Sequence, residues 1–198
     1  MGADVVFAPS PKEMYPSEDD TWVEVTGQVV KVLCGKSRPI HFRGVTTVVM
    51  KLFNIATPDR AYFGQKDAQQ VQVLKRMVKD LFVPVEMRIM PIVREEDGLA
   101  KSSRNTYLSA EERKAALVLS KALAHAKDAY KYGEKSSATL VDLVVSEIKE
   151  EKMSDIDYVS CYKLPDLADP AEFILEPHLL AVAVRFGTTR LIDNVVLD

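Results

Sequence analysis

An α/β fold is predicted for this chain, with a parallel sheet in its first half followed by a smaller α+β unit built on a three-stranded antiparallel sheet. Three observations predict it. Short apolar runs alternate with helical periodicity as far as Val93, the grammar of parallel strands joined by right-handed crossovers. Amphipathic helix patterns follow Leu108, and strand-length apolar or alternating segments follow Ile156. The boundary falls near Glu95 to Asp97, which gives domains 1–94 and 95–198.

Taken in order, Val5-Val6-Phe7-Ala8, ended by Pro9, reads as a buried strand of a parallel sheet. Trp22-Val23-Glu24-Val25 alternates and reads as a second, more exposed strand. The span Gly27 to Arg43 is polar and basic, punctuated by Gly35 and Pro39, and reads as a loop. Helical spacing takes over at Val45, with Val48, Val49 and Leu52 on one face and Pro58 closing the helix. Arg60 to Phe63 is the next strand, and Gly64 opens the turn into a helix whose Val71, Leu74, Val78 and Leu81 are spaced for burial. Val85 to Val93 is another strand, with a loop through Gly98 to Asn105 behind it.

Beyond Leu108, Ser109-Ala110-Glu111-Glu112 is a capping box that satisfies orphan amides at a helix start. That helix carries Leu119, Leu123, Ala126 and Tyr130 and ends at Gly133. Ser136-Ser137 starts another, with Leu140, Val144 and Ile148 aligned. Ile156 to Tyr162, Leu179 to Val184 and Arg190 to Ile192 form the antiparallel set.

Bulk properties narrow the function classes. A length of 198 residues supports a substantial core. With 26 basic and 29 acidic residues the net charge is −3, which argues against general nucleic-acid binding but leaves room for a basic cluster that meets a small anion. No apolar stretch is long enough to span a membrane, and Met1-Gly2-Ala3-Asp4 lacks the organisation of a signal peptide. Cys34 and Cys161 have no metal-type spacing and read as free buried thiols of a cytoplasmic protein, and His41, His125 and His178 form no zinc motif.

The candidate chemistry lies in two segments, each at the C-terminal end of a predicted strand, the edge at which open α/β sheets bind ligands. In the first, Gly64 lets backbone approach a ligand without a Cβ, and the helix start offers amides to a phosphate or carboxylate. Lys66 adds a mobile cation, while Asp67 and Gln70 share a helical face. A solvated helix start explains the same residues, and Gln69 reads as exposed and without a role. In the second, Ser102, Ser103 and Arg104 combine two hydroxyls with a planar guanidinium, an anion-binding set that also suits an exposed connector. The basic run Lys36 to Arg43 presents Arg38, His41 and Arg43 and is either a third anion contact or a solvated loop.

These segments, in this order, resemble the pantoate–β-alanine ligase (pantothenate synthetase) family. The matching pieces are Ala3 to Ser10, Tyr15-Pro16, Ser37-Arg38-Pro39, His41 to Val45 and Lys51 to Asn54. Phe63 to Asp67, Gln69-Gln70, Asp97 to Ala100, Ser102 to Asn105 and Thr189 to Asn194 complete them, so that the match runs from end to end. The resemblance implies a partial Rossmann-like, nucleotidyltransferase-type sheet with a C-terminal lid domain. It implies ATP-dependent condensation of pantoate with β-alanine through a pantoyl adenylate, giving AMP and pyrophosphate, with Mg²⁺ assisting. It also implies a cytoplasmic homodimer of pantothenate biosynthesis, the coenzyme A precursor.

By the same resemblance Gly64, Gln65, Lys66 and Asp67 belong to an ATP-binding loop, with Lys66 and Arg104 catalytic, and Gln70 binds pantoate. Val93 flanks the adenine or ribose, and Lys101, Ser102, Ser103 and Arg104 hold phosphates. No residue is assigned to a metal. Lys101 stands where a larger apolar residue is expected, and the family's N-terminal third, with its histidine-bearing nucleotide motif, has no counterpart here. Met1 therefore reads as an internal methionine used as a start, and the chain alone is expected to bind ATP weakly and make no pantothenate. A different nucleotidyltransferase, or a non-catalytic folded remnant acting in dimerisation or interaction, are the alternatives.

Overall fold

Two sheets organise the chain, a parallel pair and an antiparallel trio, in a computed structural model that describes residues 2–16 and 21–198. Helix α1 (Pro11–Met14) is closed by a Ser10–Glu13 capping box. A 3-10 turn at Gln28–Val30 precedes α2 (Cys34–Ser37) and the long α3 (His41–Ala56). Strand β1 (Arg60–Gly64) passes through a second 3-10 turn, Gln65–Asp67, into α4 (Ala68–Asp80), and β2 (Glu86–Met90) returns parallel to β1. The second half holds a 3-10 turn at Ser103–Tyr107, then α5 (Ala110–Ala116), α6 (Val118–Lys131) and α7 (Ser137–Glu150). Strands β3 (Ser154–Lys163), β4 (His178–Phe186) and β5 (Thr189–Leu197) pair antiparallel in that order.

Strand β4 explains how the halves fit together. Residues alternate across a strand, and in β4 both faces are buried. Leu180, Val182, Val184 and Phe186 pack with Leu119, Leu123, Leu140, Val144 and Ile148 of α6 and α7. Leu179 and Ala181 pack instead with Val29, Val32, Leu33, Phe42, Ala68 and Val73 from the first half. The nearly unbroken apolar run of β4 is the sequence signature of that double burial. A third cluster joins Phe53 of α3 and Leu74 and Met77 of α4 to Ala61 and Phe63 of β1 and Met87 of β2. The other face of the parallel pair, with Tyr62 and Met90, is left exposed by the described residues.

Several expectations are corrected. Val5 to Ala8 is not a strand: none of the described residues pairs with it, and Val5 and Val6 are 83% and 81% exposed. A strand is defined by its ladder partners, which an apolar run does not supply for itself. Trp22 to Val25 is extended but joins no sheet. The threonines of α3 take the partner's place: the Val23 amide donates to Thr47 Oγ1 (3.0 Å), and the Thr46 hydroxyl donates to the Val23 carbonyl.

The basic span before Val45 is largely helical, because buried Phe42 anchors a first turn of α3 that polarity had disguised. The strand expected over Val85 to Val93 is confined to β2, and Leu81 sits just past the end of α4, 52% exposed. The helix after Ser109 is interrupted at Leu117, whose amide bonds three residues back to Lys114. Of the two thiols, Cys161 is buried and Cys34 only half-buried.

The capping box at Ser109 is present in full, with its hydroxyl accepting from the Glu112 amide (3.1 Å) and the Glu112 carboxylate accepting from the Ser109 amide (2.8 Å). Ser109→Ala is expected to lower stability by about 1 kcal/mol. A double-mutant cycle with Glu112→Ala, read by urea unfolding, should show the two effects to be less than additive, since each change removes a bond of the same box.

Candidate active site

Strand β1 ends at Gly64, and the turn Gln65–Asp67 carries the chain to the start of α4. That turn sets Lys66 and Asp67 at the C-terminal edge of the parallel pair, where free helix-start amides favour an anion. Asp67 immediately precedes α4, yet its carboxylate makes no capping hydrogen bond. The structural role usual for an acid at a helix start is therefore not the one it takes. Gly64 has φ −78° and open space where a Cβ would lie, so the fold itself does not demand glycine there.

Lys66, Asp67 and Gln70 line a cavity of about 250 Å³. Arg38 and His41 reach it from the segment leading into α3, and Arg104 reaches it from the loop beyond β2. Tyr158 of β3 and Arg190 and Asn194 of β5 form a further wall. The two segments singled out from sequence thus converge, and the basic run joins them. The side chains of Arg38, Lys66 and Arg104 have no carboxylate partner among the described residues. The field of Arg38 and Arg104 is felt at His41, whose pKa is lowered from 6.5 by burial first, then by Arg38 and less by Arg104, against the opposing pull of Asp67.

Convergence is enforced from β5. Arg94 donates to both carboxylate oxygens of Asp193 (2.6 and 3.0 Å) and to the Gly98 carbonyl (3.1 Å). The next residue, Asn194, donates from its amide to the carbonyls of Gln65 (3.1 Å) and Lys66 (3.0 Å) and accepts from the Gln65 side chain (3.2 Å). One dipeptide therefore holds the turn bearing Lys66 and the segment leading to Arg104. Gln65 serves this clamp and does not line the cavity.

Other expected residues lie apart. Lys101, Ser102 and Ser103 line a separate cleft of about 490 Å³ with Glu95, Asn105, Thr106 and Arg113. Val93 is exposed, and its carbonyl accepts from the Lys101 amide (2.9 Å) across a tight turn completed by Gly98 at φ +94°. Ser102 caps the 3-10 turn by accepting from the Arg104 amide (3.2 Å), which orients the chain at Arg104. A larger cleft of about 540 Å³, between Trp22–Val29 and the end of α4, holds none of the expected site residues, and its Arg76 is paired with Asp80 (2.6 Å).

Sequence reasoning missed several functional positions. Asp193 and Asn194 belong to a matched motif but gain meaning only through contacts with distant residues. Gln69, read as exposed, is buried. Arg190 donates to Cys34 Sγ (3.6 and 3.8 Å), and Tyr158 lies within 3.6 Å of the same sulfur. Burial and the neighbouring Cys34 push the Tyr158 hydroxyl far above its ordinary range. Arg43, by contrast, packs its guanidinium over Trp22 (4.9 Å) and not into the cavity. His125 meets Glu147 at the surface, and His178 is buried against the Glu176 carbonyl.

A parallel strand–turn–helix edge, cationic side chains gathered at it and an α+β second half mark an enzyme of nucleotidyltransferase-type fold. The sequence model described as pantoate-beta-alanine ligase matches residues 1–196, and the chain belongs to that family. Pantothenate synthetase of Acetivibrio thermocellus is 57% identical over 197 residues, covering 100% of this chain and 69% of the relative. That of Pelotomaculum thermopropionicum is 53% identical with the same coverage. The crystal structure of pantothenate synthetase from Thermus thermophilus superposes with a TM-score of 0.92 at 43% identity, over 98% of this chain and 70% of that one. A pantoate-beta-alanine ligase from Francisella tularensis, complexed with beta-gamma ATP and beta-alanine, gives 0.69 at 30% identity, over 95% and 62%.

Arg94→Ala leaves the Asp193 carboxylate, 3% exposed, without its cation. It should cost roughly 3 kcal/mol, measured by urea unfolding, because an unpaired buried charge remains. His41 should titrate below 6.5 by NMR, and inorganic pyrophosphate should raise that value by neutralising the cations around it. Because the folded form resists protonation, the contribution of His41 to stability is complete above about pH 6.5 and is lost as pH falls toward its lowered folded value.

Proposed function

We propose that this cavity holds the phosphates of ATP beside the acid they activate, and that the chain serves ATP-dependent condensation of pantoate with β-alanine to pantothenate. Family membership and the relatives' names support the reaction, and the Francisella complex supports ATP and β-alanine as substrates. The observation that carries the reading is the meeting of Arg38, Lys66, Gln70 and Arg104 at one cavity. In the first step a carboxylate oxygen of pantoate attacks the α-phosphorus, and the bond to pyrophosphate breaks. In the second, the β-alanine amine attacks the carbonyl of the resulting pantoyl adenylate. AMP leaves, and the amine's proton passes to solvent.

Each step needs charge screening and in-line placement. Lys66 and Arg104 would face the charge that builds on the transferred phosphoryl oxygens. Gln70, able to donate and accept, would hold pantoate one helical turn from Asp67. Gly64 and Gln65 shape the loop beneath the nucleotide, and Val93 would flank its base or sugar. Lys101, Ser102 and Ser103, which line the separate cleft, would reach the phosphates only from beyond this cavity, through the loop that carries Arg104. No cluster of three or more ligating side chains exists among the described residues, which fits an Mg²⁺ held mostly by phosphates and water. Asp67, at the cavity, is the carboxylate that would hold that ion, which when bound would supply neutralisation of phosphate charge.

In this reading residues 95–198 form the lid domain over the part contributed by 1–94, and the enzyme works as a cytoplasmic homodimer. No described helix is long and apolar enough to cross a membrane.

In a form of the protein that catalyses pantoate-dependent exchange of pyrophosphate into ATP, Lys66→Ala and Arg104→Ala should each lower that exchange by about a hundredfold. Gln70→Ala should raise the KM for pantoate while leaving that for ATP near its original value. Retention of full exchange in the Lys66 and Arg104 variants would refute the reading.

A further inference from the structure

Gln69 lies between the catalytic candidate Lys66 and the pantoate-binding candidate Gln70, but its side chain turns away from solvent and is 6% exposed. Its amide nitrogen donates to the carbonyls of Val29 (2.9 Å) and Val32 (2.7 Å), and its oxygen accepts from the Cys34 amide (3.0 Å). All of these partners belong to the segment that leads through α2 to Arg38 and His41. We infer that Gln69 is a positioning residue for the reaction, fixing this arm so that Arg38 and His41 meet Lys66 and Arg104. The inference rests on the proposed nucleotide site and adds the residue that assembles it.

The backbone shows why such a fastening is needed. Leu33 has φ 48° and ψ −125°, a conformation that side-chain-bearing residues adopt at a cost and keep only when their surroundings impose it. Two of the bonds made by Gln69 go to Val32 and Cys34, the immediate neighbours of Leu33 on either side. One amide therefore braces the strained bend from both flanks. Packing is tight at the same place: a Cβ on Gly35 would lie 1.9 Å from the Val30 carbonyl oxygen and 3.3 Å from Gln69 Nε2. The arm then runs through α2, and the His41 amide donates to the Arg38 carbonyl (3.0 Å) as α3 begins. The bend at Leu33 thus sets where both cavity-lining side chains arrive.

Without the amide, α4 keeps only the apolar packing of Ala68 and Val73 beside Leu33, which does not fix the polar backbone of the bend, and the arm can relax away from Lys66. His41 reports this directly, because burial and the cations Arg38 and Arg104 lower its pKa while Asp67 raises it. The test uses this chain with Gln69→Met, which keeps length and removes both donors and the acceptor. NMR follows His41 in the absence of nucleotide, and calorimetry measures binding of ATP with Mg²⁺. The expected result is a His41 pKa that moves up toward 6.5 and an ATP affinity about tenfold weaker, equivalent to ~1.4 kcal/mol.

A folded variant with His41 and ATP affinity both unchanged would overturn the inference. Release of His41 with unchanged ATP affinity would uphold the positioning role and overturn the nucleotide site instead. If Gln69→Met does not fold, Gln69→Asn carries the same two measurements, since its amide survives but falls one methylene short of the bend.

Discussion

The ion pair between Asp193 and Arg94 is the constraint on which the site depends. Asp193 is a carboxylate buried on β5, and such a charge persists in a folded interior only with a cation and further donors around it. Arg94 donates from both terminal guanidinium nitrogens, and the Asn194 backbone amide adds another bond at 2.8 Å. The same strand then grips the Gln65–Lys66 carbonyls through Asn194. Neither the strand β1 turn nor the Arg104 loop has its place set by its own local structure. Each is located by reference to β5, so a strand of the second half measures the spacing of groups in the first.

Sheet packing makes that reference rigid. Because β4 is buried on both faces, β5 beside it is not free to tilt without opening one core or the other. Dense interiors respond to such movement as solids do and resist gradual deformation. The cavity wall formed by Tyr158, Arg190 and Asn194 is therefore part of one face of a sheet fixed from two directions. Leu179 and Ala181 tie this sheet to the arm that carries Arg38, and Gln69 ties the same arm to α4. The cationic groups meet because three separate fastenings share the antiparallel sheet or α4 as their anchor.

Local chemistry was readable from the sequence wherever its cause was local. The capping box at Ser109, the aligned Leu140, Val144 and Ile148, and the strand–turn–helix at Gly64 all follow from spacing alone. The antiparallel trio was legible because its strands alternate or are wholly apolar. Illegible were the features decided by partners far away in sequence. Val5 to Ala8 has the composition of a strand but no ladder partner among the described residues, and Trp22 to Val25 found threonine side chains in place of one. Gln69 looked like any polar residue near a helix start, and only the carbonyls of a segment far upstream show why an amide sits in the core there. The convergence of Lys66 with Arg104 was inferable from strand ends, whereas the separate cleft of Ser102 and Ser103 depends on the turn at Gly98.

Electrostatics gives the arrangement its direction. The whole chain carries a net charge of −3, so a cationic cavity is not a by-product of composition. Gathering Arg38, Lys66 and Arg104 at one cavity without carboxylate partners is unfavourable in itself, because like charges repel even where, as at Arg38 and Arg104, the side chains are exposed. His41 responds by holding to its neutral form, which avoids adding a further like charge. Asp193, the one deeply buried acid nearby, is already committed to Arg94, and the exposed Asp67 offsets only part of the field. The protein keeps these cations together through Gln69, Asn194 and the packed faces of β4, all of which act without regard to their charge. On the proposed reading, a site preorganised in this way would stabilise growing negative charge without rearranging as the reaction proceeds. That property separates a catalytic pocket from a merely basic patch, whose side chains would have to be drawn in by the ligand.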